Sequence, residues 1–342
     1  MKLSFTQYDV RCTHPFGIAR SSHEMYPEIF IYLEKDGLIG RGEASPSERY
    51  GESAELIIKT IEKGINLPSQ IESPELFEKS VLYQCGGLKA LEVAFSMAYL
   101  DWWTQSQNIA MKDYFGVEEK IGPLTSFTIA IGDMDLIAQK VEEAKPYHIL
   151  KVKLGSENDK EIIHVIRTET DKVIRVDANE GWDLDSGETM CKWLADQNVE
   201  FVEQPLPAEK VHETAELKKK SPLPLIADEN CLYPENIPEI AHAFDGVNIK
   251  LMKCGSMLKA KQMIDMARER DLQIMLGCMV ESSIGITAAA HLAPLVDYVD
   301  LDGNLLIDND PYIGVLIEDG RVIIPDGHGL GLQLNSTYKG LK

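Results

Sequence analysis

The sequence predicts an α/β protein: a (β/α)7β barrel of the TIM type with an N-terminal α+β capping domain. Two observations carry this prediction. From about residue 124 onward, short apolar segments alternate with charged amphipathic segments, at the roughly 25-residue spacing of a strand–helix unit. Before that point strand-like alternation comes first and helical periodicity follows, which is typical of an α+β domain.

The first 118 residues are predicted to form the capping domain. Leu3–Val10 and Ile29–Glu34 alternate as strands do, and Asp36-Gly37 is typical of a hairpin turn. Helical periodicity covers three further segments: Ala54–Lys63, Ser73–Val81 and Leu88–Trp103. We expect residues 311–342 to return to this domain, which leaves residues 119–310 for the barrel.

Eight segments are predicted as the barrel strands. They are Ser126–Ile129, His148–Lys153, Val173–Asp177, Phe201–Glu203, Leu225–Asp228, Gly246–Lys250, Gln273–Gly277 and Tyr298–Asp302. An open doubly wound sheet is the competing topology, but no glycine-rich dinucleotide fingerprint opens any of the following helices. The closed barrel is therefore preferred, and the carboxyl ends of its strands are expected to meet at one mouth.

Composition and charge restrict the partners. The chain of 342 residues carries a formal net charge of −21, which argues against nucleic acid and anionic membranes as partners. The N-terminus has no apolar region typical of a signal peptide, and no run of eighteen apolar residues occurs. None of the six cysteines lies in a C-x-x-C motif, and we expect them to be reduced thiols. We therefore expect a cytoplasmic protein.

Charged residues end nearly every predicted strand. A single aspartate at such a position commonly forms a turn or caps a helix, but a closed barrel brings all of these side chains to one mouth. Asp177, Glu203 and Asp228 end three adjacent strands, where without a cation they would repel one another. Oxygen ligands of this kind suit Mg²⁺, and the lack of His or Cys at neighbouring strand ends disfavours zinc.

Two lysines are predicted to flank the metal. Lys153 ends the strand before the three carboxylates and Lys250 ends the strand after them. One neutral lysine could remove a proton next to a substrate carboxylate, Mg²⁺ would stabilise the enediolate, and the other lysine could return a proton to the opposite face. A nearby cation, from Mg²⁺ or Lys151, would lower the pKa of Lys153 as this chemistry requires. We prefer Lys250 to Lys253, which we place in the following loop.

These motifs resemble the enolase superfamily, and within it the dipeptide epimerases of the muconate-lactonising subgroup. The matching segments are Lys151-Val152-Lys153, Asp177–Trp182, Val202–Pro205, Ala227–Glu229 and Asn248–Gly255. The resemblance covers essentially the whole chain. The deciding feature is Asp300-Leu301-Asp302, because in that family a D-x-D pair binds the α-ammonium group of the dipeptide, and two carboxylates suit an ammonium ion.

The resemblance also implies a substrate. Two specificity loops are expected in the capping domain, His14–Tyr26 and Glu43–Gly51. Arg20, in the first of them, resembles the arginine with which Ala-Glu epimerases reach the glutamate side chain. Glu281 and Ser282 resemble the family's E-S-S loop, and together with Lys151 they join the substrate-binding residues that the resemblance implies. The implied function is two-base epimerisation of L-Ala-D/L-Glu in murein peptide recycling. A homo-oligomer is compatible with the family.

Three other functions stay open. The first is epimerisation of other dipeptides, with hydrophobic or cationic residues. The second is an o-succinylbenzoate synthase or a muconate cycloisomerase-like enzyme, which would need no ammonium site and so no use for Asp300 and Asp302. The third is a catalytically silent barrel that binds a small anion or a partner protein. The presence of both lysines and of all three carboxylates argues against the last.

Overall fold

The computed structural model describes residues 1–18, 21–68, 73–338 and 340–342. The N-terminal part opens with a three-stranded antiparallel sheet. Its strands are β1 (Lys2–Ile18), β2 (Ser21–Lys35) and β3 (Leu38–Ala44). The predicted turn at Asp36-Gly37 joins β2 to β3, and both residues have the positive φ that such a turn needs.

The β1–β2 hairpin is longer than the sequence predicts. Its pairing shifts register between Arg11 and Phe16 and then continues to the pair Ile18–Ser21. Segment His14–Tyr26 was expected to be a loop, but its described residues are extended strand, because cross-strand pairing resumes after the bulge. Arg20 lies outside the described residues.

In the described part of residues 45–120, four helices follow the sheet, with two 3₁₀-helices at Glu48–Tyr50 and Leu82–Cys85. They are α1 (Ala54–Glu62), α2 (Pro74–Val81), α3 (Lys89–Ser106) and α4 (Met111–Tyr114). Ser53 and Ser73 cap α1 and α2 through their hydroxyl groups, which explains where the two helices begin. The long helix α3 is buried around most of its circumference, and it packs directly on β3.

Two glycines allow β3 to approach α3. A Cβ atom on Gly40 would lie 1.8 Å from the carbonyl oxygen of Ala98, and one on Gly42 would lie 1.9 Å from that of Ala94. The two glycines are two positions apart on one face of the strand, and the two alanines are one helical turn apart. The backbones therefore touch, and neither position has room for a side chain.

The barrel begins after β4 (Ile121–Leu124). Its parallel strands are β5 (Ser126–Ile129), β6 (Ile149–Lys153), β7 (Val173–Asp177), β8 (Val199–Glu203), β9 (Leu225–Ala227), β10 (Gly246–Lys250), β11 (Gln273–Gly277) and β12 (Tyr298–Asp300). They neighbour one another in sequence order, and a bridge between Thr125 and Val299 joins the first strand to the last. The predicted (β/α)7β barrel is confirmed.

Helices connect the consecutive strands. They are α5 (Met134–Glu143), α6 (Asp159–Glu169), α7 (Leu184–Ala195), α8 (Val211–Lys220), α9 (Asn236–Ile240), α10 (Leu251–Cys254), α11 (Met257–Arg268) and α12 (Ser283–Ala290). Two 3₁₀-helices lie at Ala293–Leu295 and Gly303–Leu305. Within the described ranges, no helix has the length and apolar character needed to cross a membrane.

The last segment contacts the N-terminal part. Its short strands are β13 (Tyr312–Ile313), β14 (Leu316–Glu318), β15 (Arg321–Ile323) and β16 (Gln333–Leu334), and β15 also pairs with β4. The hydroxyl groups of Tyr312 and Tyr32 lie 2.9 Å apart, and the Leu330 amide donates to Asp101 at 2.8 Å. The domain boundaries stay a prediction.

The barrel interior is built in layers. Because alternate residues of a strand face the same side, the charged ends stand above an inner layer two residues earlier. Part of that layer is an apolar cluster of Phe201, Ile226 and Met275, with Tyr298 packed against it. The Arg175 guanidinium lies 4.9 Å from the centre of the Tyr298 ring and donates to the carbonyl oxygen of Val299. The layer beneath the charged mouth therefore combines this apolar cluster with buried polar side chains, among them Arg175.

We expect Gly42→Ala to destabilise the protein by about 2–3 kcal/mol, because the added methyl group overlaps a helix carbonyl that cannot move away. Equilibrium urea unfolding measures this change. Gly132→Ala is the control, since its methyl group would meet only the flexible tip of Leu136 at 3.2 Å. Equal stability of the two variants would contradict the close packing of β3 on α3.

Candidate active site

Three carboxylates meet at the barrel mouth. Asp177 ends β7, Glu203 ends β8 and Asp228 follows β9, and one oxygen atom of each lies within 4.8 Å of the others. Two ligands of one Mg²⁺ are at most about 4.2 Å apart, so a small adjustment would close these oxygens on a single ion. All three side chains are buried, which suits a site closed to bulk water. The donor set therefore fits the predicted cation.

Strand register brings Lys153 to this level. Lys153 pairs with Asp177, and Asp177 pairs with Glu203, so the three side chains stand side by side on adjacent strands. The Lys153 Nζ atom donates to Asp177 Oδ2 at 2.7 Å. On the other side of the carboxylates, the Lys250 Nζ atom donates to Asp228 Oδ2 at 2.8 Å. The two predicted catalytic lysines therefore flank the carboxylates from opposite sides.

Lys151 lies beneath the carboxylates and connects them to the last strand. Its Nζ atom is 2.6 Å from Asp300 Oδ2, 2.7 Å from Glu203 Oε2 and 3.2 Å from Asp177 Oδ2. Burial lowers the pKa of Lys151, but the attraction of Asp300 and the other carboxylates outweighs it and leaves the pKa well above its usual value. Lys151 is therefore a fixed positive charge at the centre of the cluster.

Lys253 was expected in a loop, but it lies in the one-turn helix α10. The loop expectation is wrong because Gly255, in the left-handed conformation, ends a helical turn that begins directly after β10. Lys253 is fully buried and donates to the carbonyl oxygens of Asp228 and Asn248 at 2.7 and 2.9 Å and to the Asp228 carboxylate. These contacts fill all three of its donor positions.

Asp300 and Asp302 differ in the number of carboxylate oxygens that accept a hydrogen bond from the protein. Asp300 accepts from Lys151 and, at 2.6 Å, from the Ser126 hydroxyl, so both of its oxygens are bound. Asp302 accepts from the Thr128 amide through Oδ2, also at 2.6 Å. Burial and the neighbouring Asp300 raise the pKa of Asp302 to about 7. Of the two, Asp302 is better placed to receive a substrate cation.

Glu281 and Ser282 lie in the loop between β11 and α12. The Ser282 hydroxyl donates to Glu43 at 2.8 Å and accepts from the Ile284 amide, so it is engaged within the protein. Glu281 accepts from the Met279 amide at 2.7 Å. Burial and Glu43 raise the pKa of Glu281 to about 8, whereas Lys250 lowers it. The structure brings Glu281 near the mouth, and the substrate roles of both residues stay predictions.

Two site residues have no role in the sequence-based predictions, although Asn248 opens a matching segment and Tyr50 lies in the expected specificity loop Glu43–Gly51. Asn248 is fully buried on β10 and donates to Glu203 Oε1 at 2.6 Å, in the space left by Gly277. A polar residue two positions before Lys250 in an apolar strand is a signal that could have found it. Tyr50, in a 3₁₀-helix of the N-terminal part, has its pKa raised by burial and by Asp228. No local pattern distinguishes Tyr50 from a surface tyrosine.

The cluster does not lower the pKa of Lys250 by itself. Burial lowers that pKa, but Asp228 and Glu203 outweigh burial and raise it above its usual value. Conversely, burial raises the pKa of Asp228, while Lys250 and Lys253 bring it well below its usual range. A divalent cation on the carboxylates would compensate their charge and favour a neutral lysine. The expected lowering of a lysine pKa therefore depends on the cation.

The fold and this centre define a barrel enzyme with paired lysines around an acidic cluster. The family model for enolase C-terminal domain-like proteins matches residues 134–338. The chain therefore belongs to the enolase superfamily.

Similar proteins narrow the family further. An L-Ala-D/L-amino acid epimerase of Flavobacterium johnsoniae is 36% identical, over 98% of this chain and 100% of its own. An L-Ala-D/L-Glu epimerase of Bacteroides thetaiotaomicron is 37% identical, over 97% and 88%. A dipeptide epimerase from Cytophaga hutchinsonii, solved in complex with Mg and the dipeptide D-Ala-L-Val, superposes with a TM-score of 0.91 at 25% identity, over 98% and 96%. The chain belongs to the dipeptide epimerases of this superfamily.

We expect Lys253→Met to destabilise the protein by about 3–5 kcal/mol, because it leaves the buried Asp228 carboxylate with one cation fewer. Urea unfolding followed by circular dichroism measures the loss. Lys259→Met is the control, since Lys259 is partly exposed and its ion pair with Glu92, at 3.4 Å, is expected to contribute little. A Lys253→Met variant as stable as the control would show that Lys253 is not structural.

Proposed function

We propose that this chain is a Mg²⁺-dependent dipeptide epimerase that inverts the Cα of the C-terminal residue by a two-base 1,1-proton transfer. The observation that carries the proposal is the position of Lys153 and Lys250. They come from β6 and β10, lie on opposite sides of the carboxylate cluster and each donate to a different carboxylate. Inversion at a carbon needs one base on each face, and this arrangement supplies both.

Asp177, Glu203 and Asp228 would hold the metal. When bound, Mg²⁺ supplies Lewis-acid stabilisation of the negative charge that develops on the substrate carboxylate as the α-proton leaves. One lysine accepts that proton through its neutral Nζ, and the protonated Nζ of the other donates a proton to the opposite face. Lys151 stays charged and fixes the positions of Asp300 and Glu203. Burial of the cluster strengthens the electrostatic interactions that act on the developing negative charge.

Asp302 would bind the α-ammonium group of the dipeptide, with Asp300 beside it. This site favours a dipeptide over the substrates of an o-succinylbenzoate synthase or a muconate cycloisomerase, which carry no ammonium group. The pKa of Asp302, about 7, and that of a free α-amino group, about 7.7–8.0, leave a window in which both are charged. Binding is therefore expected to be tightest between these two values.

We further propose L-Ala-D/L-Glu as the first substrate to test, with murein peptide recycling in the cytoplasm as the setting. The relatives' names support an alanine-containing dipeptide and leave its second residue open. Arg20, the residue expected to bind a glutamate side chain, lies outside the described residues. Dipeptides with hydrophobic or cationic second residues therefore remain alternatives, and a homo-oligomer stays a prediction.

Proton NMR in D₂O tests the proposal, with Mg²⁺ and a dipeptide library that includes L-Ala-L-Glu. We expect the α-proton signal of the C-terminal residue to disappear while a second diastereomer forms. Addition of EDTA should stop both changes, and excess Mg²⁺ should restore them. Absence of exchange with every dipeptide would remove the epimerase function and favour the cycloisomerase-like alternatives.

Lys153→Ala and Lys250→Ala are each expected to lower the epimerisation rate by at least about 10³-fold, because either change removes the base from one face. In each variant the remaining lysine can still exchange the α-proton of one stereoisomer, which NMR in D₂O detects. Lys261→Ala, a change on the outer helix α11, is the control. Normal epimerisation by either site variant would disprove the two-base assignment.

Asp302→Asn is expected to raise KM for L-Ala-L-Glu by about 10- to 100-fold, because a charge-assisted hydrogen bond to the ammonium group is lost. In the unsubstituted protein KM should also rise as the pH falls below about 7, where Asp302 takes up a proton. N-Acetyl-L-Ala-L-Glu, which has no ammonium group, should lose this dependence on Asp302. An unchanged KM in the variant would assign ammonium binding elsewhere.

A further inference from the structure

Three buried glutamates lie together where the N-terminal part meets the barrel. Glu28 belongs to β2, Glu43 to β3 and Glu281 to the loop between β11 and α12, and each is at most 2% exposed. Within residues 1–18, 21–68, 73–338 and 340–342, none of the three forms an ion pair with Lys, Arg or His. Three buried carboxyl groups without a cation cannot all be ionised near neutral pH.

Hydrogen bonds distinguish Glu43 from the other two. It accepts from the Ser282 amide at 2.7 Å, from the Ser282 hydroxyl at 2.8 Å and from the Gly285 amide at 2.7 Å, at the start of α12. Amide and hydroxyl donors at a helix start favour an anion. Glu28 accepts one hydrogen bond from the Ser45 hydroxyl at 2.9 Å, and Glu281 accepts one from a backbone amide. Glu43 is therefore the carboxyl group best suited to hold a charge.

The order of the pKa values agrees with this assignment. Burial raises the pKa of Glu43 to about 7, against the opposing effect of its donors. Burial and Glu43 raise the pKa of Glu281 to about 8 and that of Glu28 well above its usual value. The other titratable groups that face the cluster are Tyr26, Tyr32, Lys250, Cys278, Asp310 and Tyr312.

The loop that Glu43 holds leads directly from the mouth. Gly277, at the end of β11, pairs in register with Lys250 on one side and Asp300 on the other. The next residue, Cys278, has its Sγ atom 3.2 Å from the carbonyl oxygen of Asp300. A shift of this loop would therefore move the wall of the mouth beside the ammonium site.

Within the epimerase function proposed above, we propose that Glu43 is a positioning residue. It is the ionised member of the cluster and fixes the β11–α12 loop, whereas Glu28 and Glu281 stay protonated. Glu43 reaches no reacting atom itself. It acts through Ser282 and Gly285, which makes the Ser282 hydroxyl a partner of Glu43. A substrate-binding site on the barrel then depends on a carboxylate from the capping sheet.

Glu43→Gln tests the proposal, with Glu28→Gln as the isosteric control. In Glu43→Gln the amide group cannot accept all three bonds, so we expect KM for the dipeptide to rise at least about tenfold while kcat changes less than about threefold. Hydrogen exchange in peptides covering residues 279–290 should become faster. Glu28→Gln imitates a protonated Glu28, so its kcat, KM and hydrogen exchange should stay within about twofold of the unsubstituted protein.

Each other result counts against the proposal. An unchanged KM and unchanged exchange in Glu43→Gln would overturn it, and a loss of kcat alone with a lower Tm would assign Glu43 a merely structural role. Equal effects of both substitutions would overturn the protonation of Glu28. If Glu43→Gln does not fold, Ser282→Ala must show the same direction of change. If the unsubstituted protein epimerises no dipeptide, the proposed function fails, while hydrogen exchange still tests the positioning.

Discussion

Parallel strands in register place side chains from neighbouring strands at one level, and at this mouth almost every one of those side chains is charged. Four lysines face four carboxylates there: Lys151, Lys153, Lys250 and Lys253 against Asp177, Glu203, Asp228 and Asp300. Buried charges are tolerated only opposite partners, so no member can be removed without leaving an uncompensated charge. The fold of the barrel and the chemistry of its mouth therefore depend on the same set of ion pairs.

Within this set, the number of acceptor oxygens near each Nζ atom separates two fixed lysines from two candidate bases. Lys151 lies within 3.2 Å of three carboxylates, and Lys253 fills its three donor positions with Asp228 and Asn248. Lys153 and Lys250 each bond a single carboxylate. A lysine with one partner can turn its Nζ atom toward a substrate at little cost, whereas one with three cannot. The same residue type thus serves as a structural cation at two positions and as a candidate base at two others.

The sequence was sufficient for the barrel because its strands are short apolar runs with a charge at the carboxyl end. That pattern repeats, and closure then dictates that Asp177, Glu203 and Asp228 meet. The β1–β2 hairpin was harder to predict, since its pairing resumes after a bulge and no local signal marks where strands end. Glu43 begins the expected specificity loop Glu43–Gly51, but its contact with Ser282 could not be predicted, because Ser282 lies 239 positions away in the chain. Long-range polar contacts leave no periodic trace in a sequence.

The two parts of the molecule therefore contribute differently to the site. Strand register in the barrel fixes the charged groups relative to one another, with little freedom for any of them. The capping part reaches the mouth through separate contacts: Arg49 pairs with Glu180 at 2.9 Å, Tyr50 lies near Asp228, and Glu43 holds the β11–α12 loop. None of these contacts is set by barrel register, so each can change while the lysines and carboxylates stay in place. In the proposed function, proton transfer and ammonium binding thus depend on barrel residues, whereas the capping part can change the rest of the mouth without moving them.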